Sequence, residues 1–104
     1  MLGKLEEEVL LAALQAGPDA LPSEIYTRLE GAAGQRKIAS FGAVYTTLGR
    51  MAVKKLLTES VKTDPAGRAR RAFTVSALGR TALTDSMNRL RSLGGFALAG
   101  GGHA

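Results

Sequence analysis

A chain of 104 residues, 45% hydrophobic and 22% charged, has room for one globular domain with a modest core, which argues against an enzyme with a deep private pocket. It has no cysteine, hence no disulfide framework or thiolate chemistry, and its longest wholly apolar run, Val9 to Leu14, is far short of the roughly 20 residues of a membrane span. The net charge of +5 is segregated: residues 1 to 35 sum to −4, whereas residues 36 to 80 hold ten basic side chains against Glu59 and Asp64, a surplus of +8 that points to a polyanionic partner.

The first helix is predicted over residues 3 to 16, with Glu6, Glu7 and Glu8 in its opening turns, where the macrodipole favours negative charge, and Gly17-Pro18 as its stop. Those acids are also the wrong flank for a secretory signal, so a cytoplasmic protein is expected. Leu5, Val9, Leu10, Ala12, Ala13, Leu14 and Ala16 cover more than one stripe, which implies burial on two sides, the second against a partner subunit. Pro22 or Ser23 opens a second helix with Ile25, Leu29 and Ala32 or Ala33 as its core stripe, and Gly34 closes it. Lys37-Ile38-Ala39 is long enough only for a brief strand pairing.

Ser40 is placed to cap a third helix, and from Lys37 to Leu57 there is no carboxylate. Stepping about 100° per residue from Val44 puts Phe41, Leu48, Met51 and Ala52 on its side and Gly42, Ala43, Thr46, Gly49 and Arg50 on the other. One face is core. The other offers small residues, hydroxyls and one Arg, as a recognition helix seated in a DNA major groove requires. A strand over about 57 to 62, a turn at Thr63-Asp64-Pro65-Ala66-Gly67 and a return strand Arg70 to Val75, with Phe73 and Val75 inward, form a hairpin. Ser76 caps a last helix that reaches about Leu93 through Leu83, Met87 and Leu90, ahead of a glycine-rich tail. The expected architecture is mainly α with a small β-hairpin wing, a winged helix-turn-helix. Residues 1 to 75 form the DNA-binding domain, 76 to 93 a dimerisation helix and 94 to 104 a flexible tail.

Gly42-Ala43-Val44-Tyr45-Thr46-Thr47-Leu48-Gly49-Arg50-Met51, followed by Gly67-Arg68-Ala69-Arg70-Arg71-Ala72-Phe73-Thr74-Val75-Ser76-Ala77-Leu78-Gly79, resembles the PadR family of bacterial transcriptional regulators. The resemblance spans roughly residues 5 to 90, including the helix of Glu24 to Leu29. Gly49 stands where the family usually has an acid, Lys55 where a glycine usually closes the helix, and Ala72 at a position often aromatic. The resemblance implies a homodimeric repressor paired through its first and last helices, and, at the level of the family, a small aromatic effector such as a phenolic acid or a flat hydrophobic drug. This sequence offers such a ligand no tryptophan, only two Tyr and three Phe.

No residue set supports catalysis or a cofactor. His103 is alone in the tail without cysteine partners, and adjacent Glu6, Glu7 and Glu8 diverge around a helix end in water. The expected function is therefore sequence-specific binding of double-stranded operator DNA. Ser40, Gly42, Thr46, Thr47 and Arg50 are expected to enter the groove, Tyr45 to reach a phosphate or brace the helix, and Lys37, Lys54, Arg68, Arg70 and Arg71 to bind backbone. Leu5, Val9, Leu83, Met87 and Leu90 are the expected dimer contacts. The alternative is a winged-helix protein-interaction module without specific DNA binding; single-stranded RNA binding lacks an exposed aromatic platform.

Overall fold

The fold follows from where each segment satisfies its backbone and where it hides its apolar side chains. A computed structural model describes residues 2–97, with side chains described through residue 92, and the chain forms α1 (Lys4–Ala16), α2 (Pro22–Ala33), α3 (Phe41–Val53), β1 (Leu57–Thr63), β2 (Ala69–Val75) and α4 (Ala77–Ala97). The first two helices begin alike. Glu6 and Glu24, each at the third helical position, accept the N–H of the capping residues Gly3 (2.9 Å) and Leu21 (2.8 Å). Ser23 thus sits inside the first turn of α2, and the N-cap is Leu21.

The core is built around Phe73, fully buried from β2, with Val9 and Leu10 of α1, Ile25 of α2, Val44, Leu48 and Met51 of α3 and Leu57 of β1. β1 and β2 pair antiparallel from Leu57↔Val75 at the base to Thr63↔Ala69 at the tip. Beyond the tip, Gly67 takes φ +84°, and the Gly67 N–H donates to the Asp64 carbonyl. A third, one-residue strand comes from Ala20, which exchanges two 2.9 Å hydrogen bonds with Phe73. Lys37-Ile38-Ala39 takes no part in a strand; the sheet is completed from the α1–α2 loop instead. Asp19 locks that loop, receiving the Ser60 hydroxyl on its carboxylate (2.7 Å) while its N–H donates to Thr74 Oγ1 (2.9 Å). Ala72, buried and opposite Ser60 in the register, is therefore small where the sheet lies under this loop.

At the end of α3, the Lys55 N–H bonds the Ala52 carbonyl and the Leu56 N–H bonds that of Met51, the double closure of a Schellman motif, with Leu56 and Met51 both buried. That closure needs a left-handed residue, and Lys55 supplies it at φ +68°. The same corner starts α4. Ser76 donates its hydroxyl to the Lys55 carbonyl (2.6 Å) and its N–H to that of Leu56 (3.1 Å), and its Oγ accepts the Gly79 N–H (3.0 Å), as a cap should. Gly79 must be glycine: a Cβ there would overlap the Leu56 carbonyl oxygen.

Two expected dimer contacts belong to this core. Val9 is wholly buried within the chain, and Leu83 is 4% exposed, because α4 packs its first half against α1 and β2. Neither has surface to offer a second copy. Leu5 is partly buried against the core, whereas Met87 and Leu90 are 43% and 58% exposed. α4 runs to Ala97, four residues past the expected end near Leu93. Residues 98–104, with His103 and the rest of the expected tail, lie outside the described residues.

The corner is testable by unfolding in urea. Gly79→Ala should destabilise the protein by about 1 to 3 kcal/mol through backbone overpacking. Lys55→Gly should stabilise it by about 0.5 to 1 kcal/mol, relief of the left-handed strain outweighing the added freedom of the unfolded chain.

Candidate nucleic-acid interface

A helix that reads DNA needs one face anchored and the opposite face bare. α3 has both. Ser40 Oγ accepts the Ala43 N–H (3.1 Å) at its start, and Val44, Leu48 and Met51 anchor it in the core. Gly42, Thr46 and Arg50 are exposed, Ala43 and Gly49 half-exposed, along one line of the helix. Among the described residues, Arg50 and Lys37 make no side-chain hydrogen bond or ion pair.

Thr47 corrects the expectation. It is 6% exposed and donates its hydroxyl to the Ala43 carbonyl at 2.8 Å, so it faces the core and has no hydrogen left for a base. Its position three residues after Val44 and four before Met51 already places it on the anchored side. Phe41 departs in the other direction. At 44% exposure it lies outside the core, edge-on to Tyr26 (5.5 Å between centroids) and stacked on Tyr45 (6.3 Å). The Tyr26 hydroxyl donates to the Ala39 carbonyl (3.1 Å), so this aromatic row braces the turn between α2 and α3.

Tyr45 acts as a strut to the wing. Arg71 donates from Nη1 to the Tyr45 hydroxyl (3.1 Å) and from Nε and Nη2 to Glu59 (2.6 and 2.9 Å), with its guanidinium 5.3 Å from the ring centroids of Tyr45 and Phe73. These bonds hold the Glu59 carboxyl below its ordinary range and push the Arg71 guanidinium up. Arg71 is thereby committed to fixing the wing's angle against the helix. Gly49 lies beneath it, a Cβ there falling 3.7 Å from Arg71 Nη2. The carboxylate that meets this guanidinium is Glu59, from the neighbouring strand.

At the wing tip, Asp64 Oδ1 accepts the Arg68 N–H (2.8 Å) and Oδ2 the Arg70 Nε–H (2.9 Å), with Arg68 Nε at 3.7 Å. The Arg68 backbone bond first and Arg70 second hold the Asp64 carboxyl below its usual value. The Arg68 and Arg70 side chains stay 68% and 48% exposed while that of Asp64 is 10% exposed, so the outer surface of the tip is cationic. Lys54 is turned away from this surface. It bonds Glu6 of α1 at 2.8 Å, which lowers the Glu6 carboxyl and ties α3 to α1. Between α3 and the wing lies an open groove of about 560 Å³, walled by Pro22, Ser23, Phe41, Tyr45, Arg70 and Arg71.

Solved structures share this fold. The chain is similar in fold to a PadR family transcription regulator from hypervirulent Clostridium difficile R20291, with a TM-score of 0.75 and 16% identity over 91% of this chain and 95% of that one. It is similar likewise to a PadR-like transcriptional regulator from Bacillus cereus (TM-score 0.69, 21% identity, 92% and 88% covered) and a PadR-like transcription factor from Bacteroides fragilis (0.68, 22%, 86% and 84%). No family model and no curated protein matches the chain.

The strut gives a pH dependence of known sign. Because the folded carboxyl of Glu59 titrates below its ordinary value of 4.5, its contribution is complete above that pH and is lost as pH falls through the lower folded value. The Arg71 Nε–H resonance should therefore stay constant from pH 7 to about 5 and move only at more acid pH, with the Tyr45 ring signals moving alongside. In Glu59→Gln that acid-linked step should be absent.

Proposed function

We propose that this chain, which has the fold of PadR family regulators, binds double-stranded operator DNA in a sequence-specific manner as a homodimeric cytoplasmic repressor. The observation that carries the reading is the line of exposed Gly42, Thr46 and Arg50 with half-exposed Gly49 on a helix without carboxylates, flanked by a cationic wing. Small residues let the helix backbone approach the base edges; Thr46 and Arg50 supply the hydroxyl and the fork-shaped donor that groove atoms accept. Ser40 caps the helix at its entry, and Lys37, Arg68 and Arg70 reach phosphates. Tyr45 and Arg71 position the wing, and Lys54 anchors α3 to α1, so these three act on DNA through geometry. Repression follows from occupying the site. Among the described residues, no helix is long and apolar enough to cross a membrane.

The second half of α4 supports the dimer. From Met87 to Ser92 every side chain is exposed, a stretch too short and too rich in nearby glycine to stay helical alone in water. Met87 and Leu90 on α4 are exposed apolar side chains that a second copy would cover. A two-fold pair would present two α3 helices to two half-sites about one duplex turn apart. A family-type aromatic effector would have to enter at that pairing surface.

Arg50→Ala should weaken operator binding by about 1 to 3 kcal/mol and relax preference at one position per half-site. Unchanged preference in a competition assay would make Arg50 a plain surface charge. Replacing Arg68 and Arg70 by Ala should flatten the salt dependence of affinity by about two units per wing without changing preference. A protein-interaction module would instead bind duplexes weakly at every salt concentration. Met87→Asp with Leu90→Asp should give a monomer by light scattering that has lost operator binding; a wild type already monomeric at micromolar concentration contradicts the dimer.

A further inference from the structure

Val53 is the most exposed of the large apolar side chains among the described residues, at 81%, and nothing in the fold accounts for it. It is the last residue of α3, where a β-branched side chain is no favoured helix former and packs against no part of the core. Its position on the helix is informative. Val53 follows Thr46 by seven residues, which places the two within about 20° on the wheel and about 10.5 Å apart along the axis. It therefore extends the line Gly42, Thr46, Gly49, Arg50 by one further turn.

On the proposed function, from which this inference proceeds, that line lies in the major groove. The groove carries one apolar feature, the C5-methyl group of thymine, and apolar side chains recognise it by contact. We infer that Val53 reads a thymine methyl, about three base pairs along the groove from the position read by Thr46. The helix before it is free of carboxylates, and Arg50 lies one turn back to hold the nearby edge or phosphate, so the end of α3 is drawn to the duplex and Val53 arrives with it. The composition of the face then has a single logic: Arg50 selects by hydrogen bonds, Val53 by the presence of a methyl group.

The test uses the full-length protein and a duplex that it binds selectively. Each thymine of a half-site is replaced in turn by deoxyuridine, which removes the methyl and leaves base pairing intact, and binding is measured for the wild type and for Val53→Ser. The wild type should lose about fourfold in affinity at one thymine per half-site, the worth of one buried methyl group. Val53→Ser should bind the thymine and uracil versions of that position equally, with unchanged circular dichroism. A selective wild type indifferent to every uracil, or a Val53→Ser protein that keeps the wild-type sensitivity, overturns the inference alone. A Val53→Ser protein that changes oligomeric state assigns the residue to a protein contact and also overturns it. A wild type with no sequence selectivity overturns both the inference and the function on which it rests.

Discussion

The end of α3, the start of the wing and the start of α4 all depend on one corner, residues Lys55 and Leu56. Within two residues the chain must leave a helix, start a strand and leave room for the last helix to begin. The left-handed φ of Lys55 makes the turn, the Leu56 N–H completes the helix end, and the two carbonyls receive Ser76. Because α4 starts on those same carbonyls, with Gly79 pressed against Leu56, α3, the wing and α4 share one origin. A lysine in this place carries strain that a glycine would not. The strain is tolerated because two hydrogen bonds and the burial of Leu56 determine the corner.

The second constraint is electrostatic. Ten cations lie between residues 36 and 80, but they are not ten free charges. Arg71 is held by Glu59 and Tyr45, Lys54 by Glu6, Lys62 by the Asp19 carbonyl and Glu24, and Arg68 and Arg70 share Asp64. The pairs are mostly exposed and contribute little to stability. Their effect is directional: they fix where the remaining N–H groups point, so that a flexible cationic surface becomes an oriented one, with less side-chain entropy left to lose on binding.

The elements and their order were legible in the sequence because helix caps, breakers and periodicity were unambiguous at Gly17-Pro18, Ser40, Gly67 and Ser76. The brief third strand was not. Ala20 carries no strand signal of its own and is recruited by Phe73 across more than fifty residues, whereas Lys37-Ile38-Ala39 had suitable side chains and no partner. On α3 the wheel separated the faces but erred at their edges. The Thr47 hydroxyl suggests a groove contact although its spacing puts it inward, and the periodicity of Phe41 suggests the core although an aromatic row with Tyr26 and Tyr45 holds it at the surface. Val9 and Leu83 lie on apolar stripes that suggest a second copy, because a linear pattern does not distinguish a stripe that meets its own domain from one that meets another. The pairing of individual arginines with individual acids depends on strand register and was beyond reach from composition alone.

The central claim is that α3 and the wing seat this chain on duplex DNA in two symmetric copies. Hydroxyl-radical footprinting of the purified protein on its own upstream region, at physiological salt, tests that claim most directly. The account predicts two protected patches on one face of the duplex, about 10 base pairs apart centre to centre, with related sequence in opposite orientation. Uniform protection along the fragment, or none at concentrations where the protein is dimeric, would contradict it.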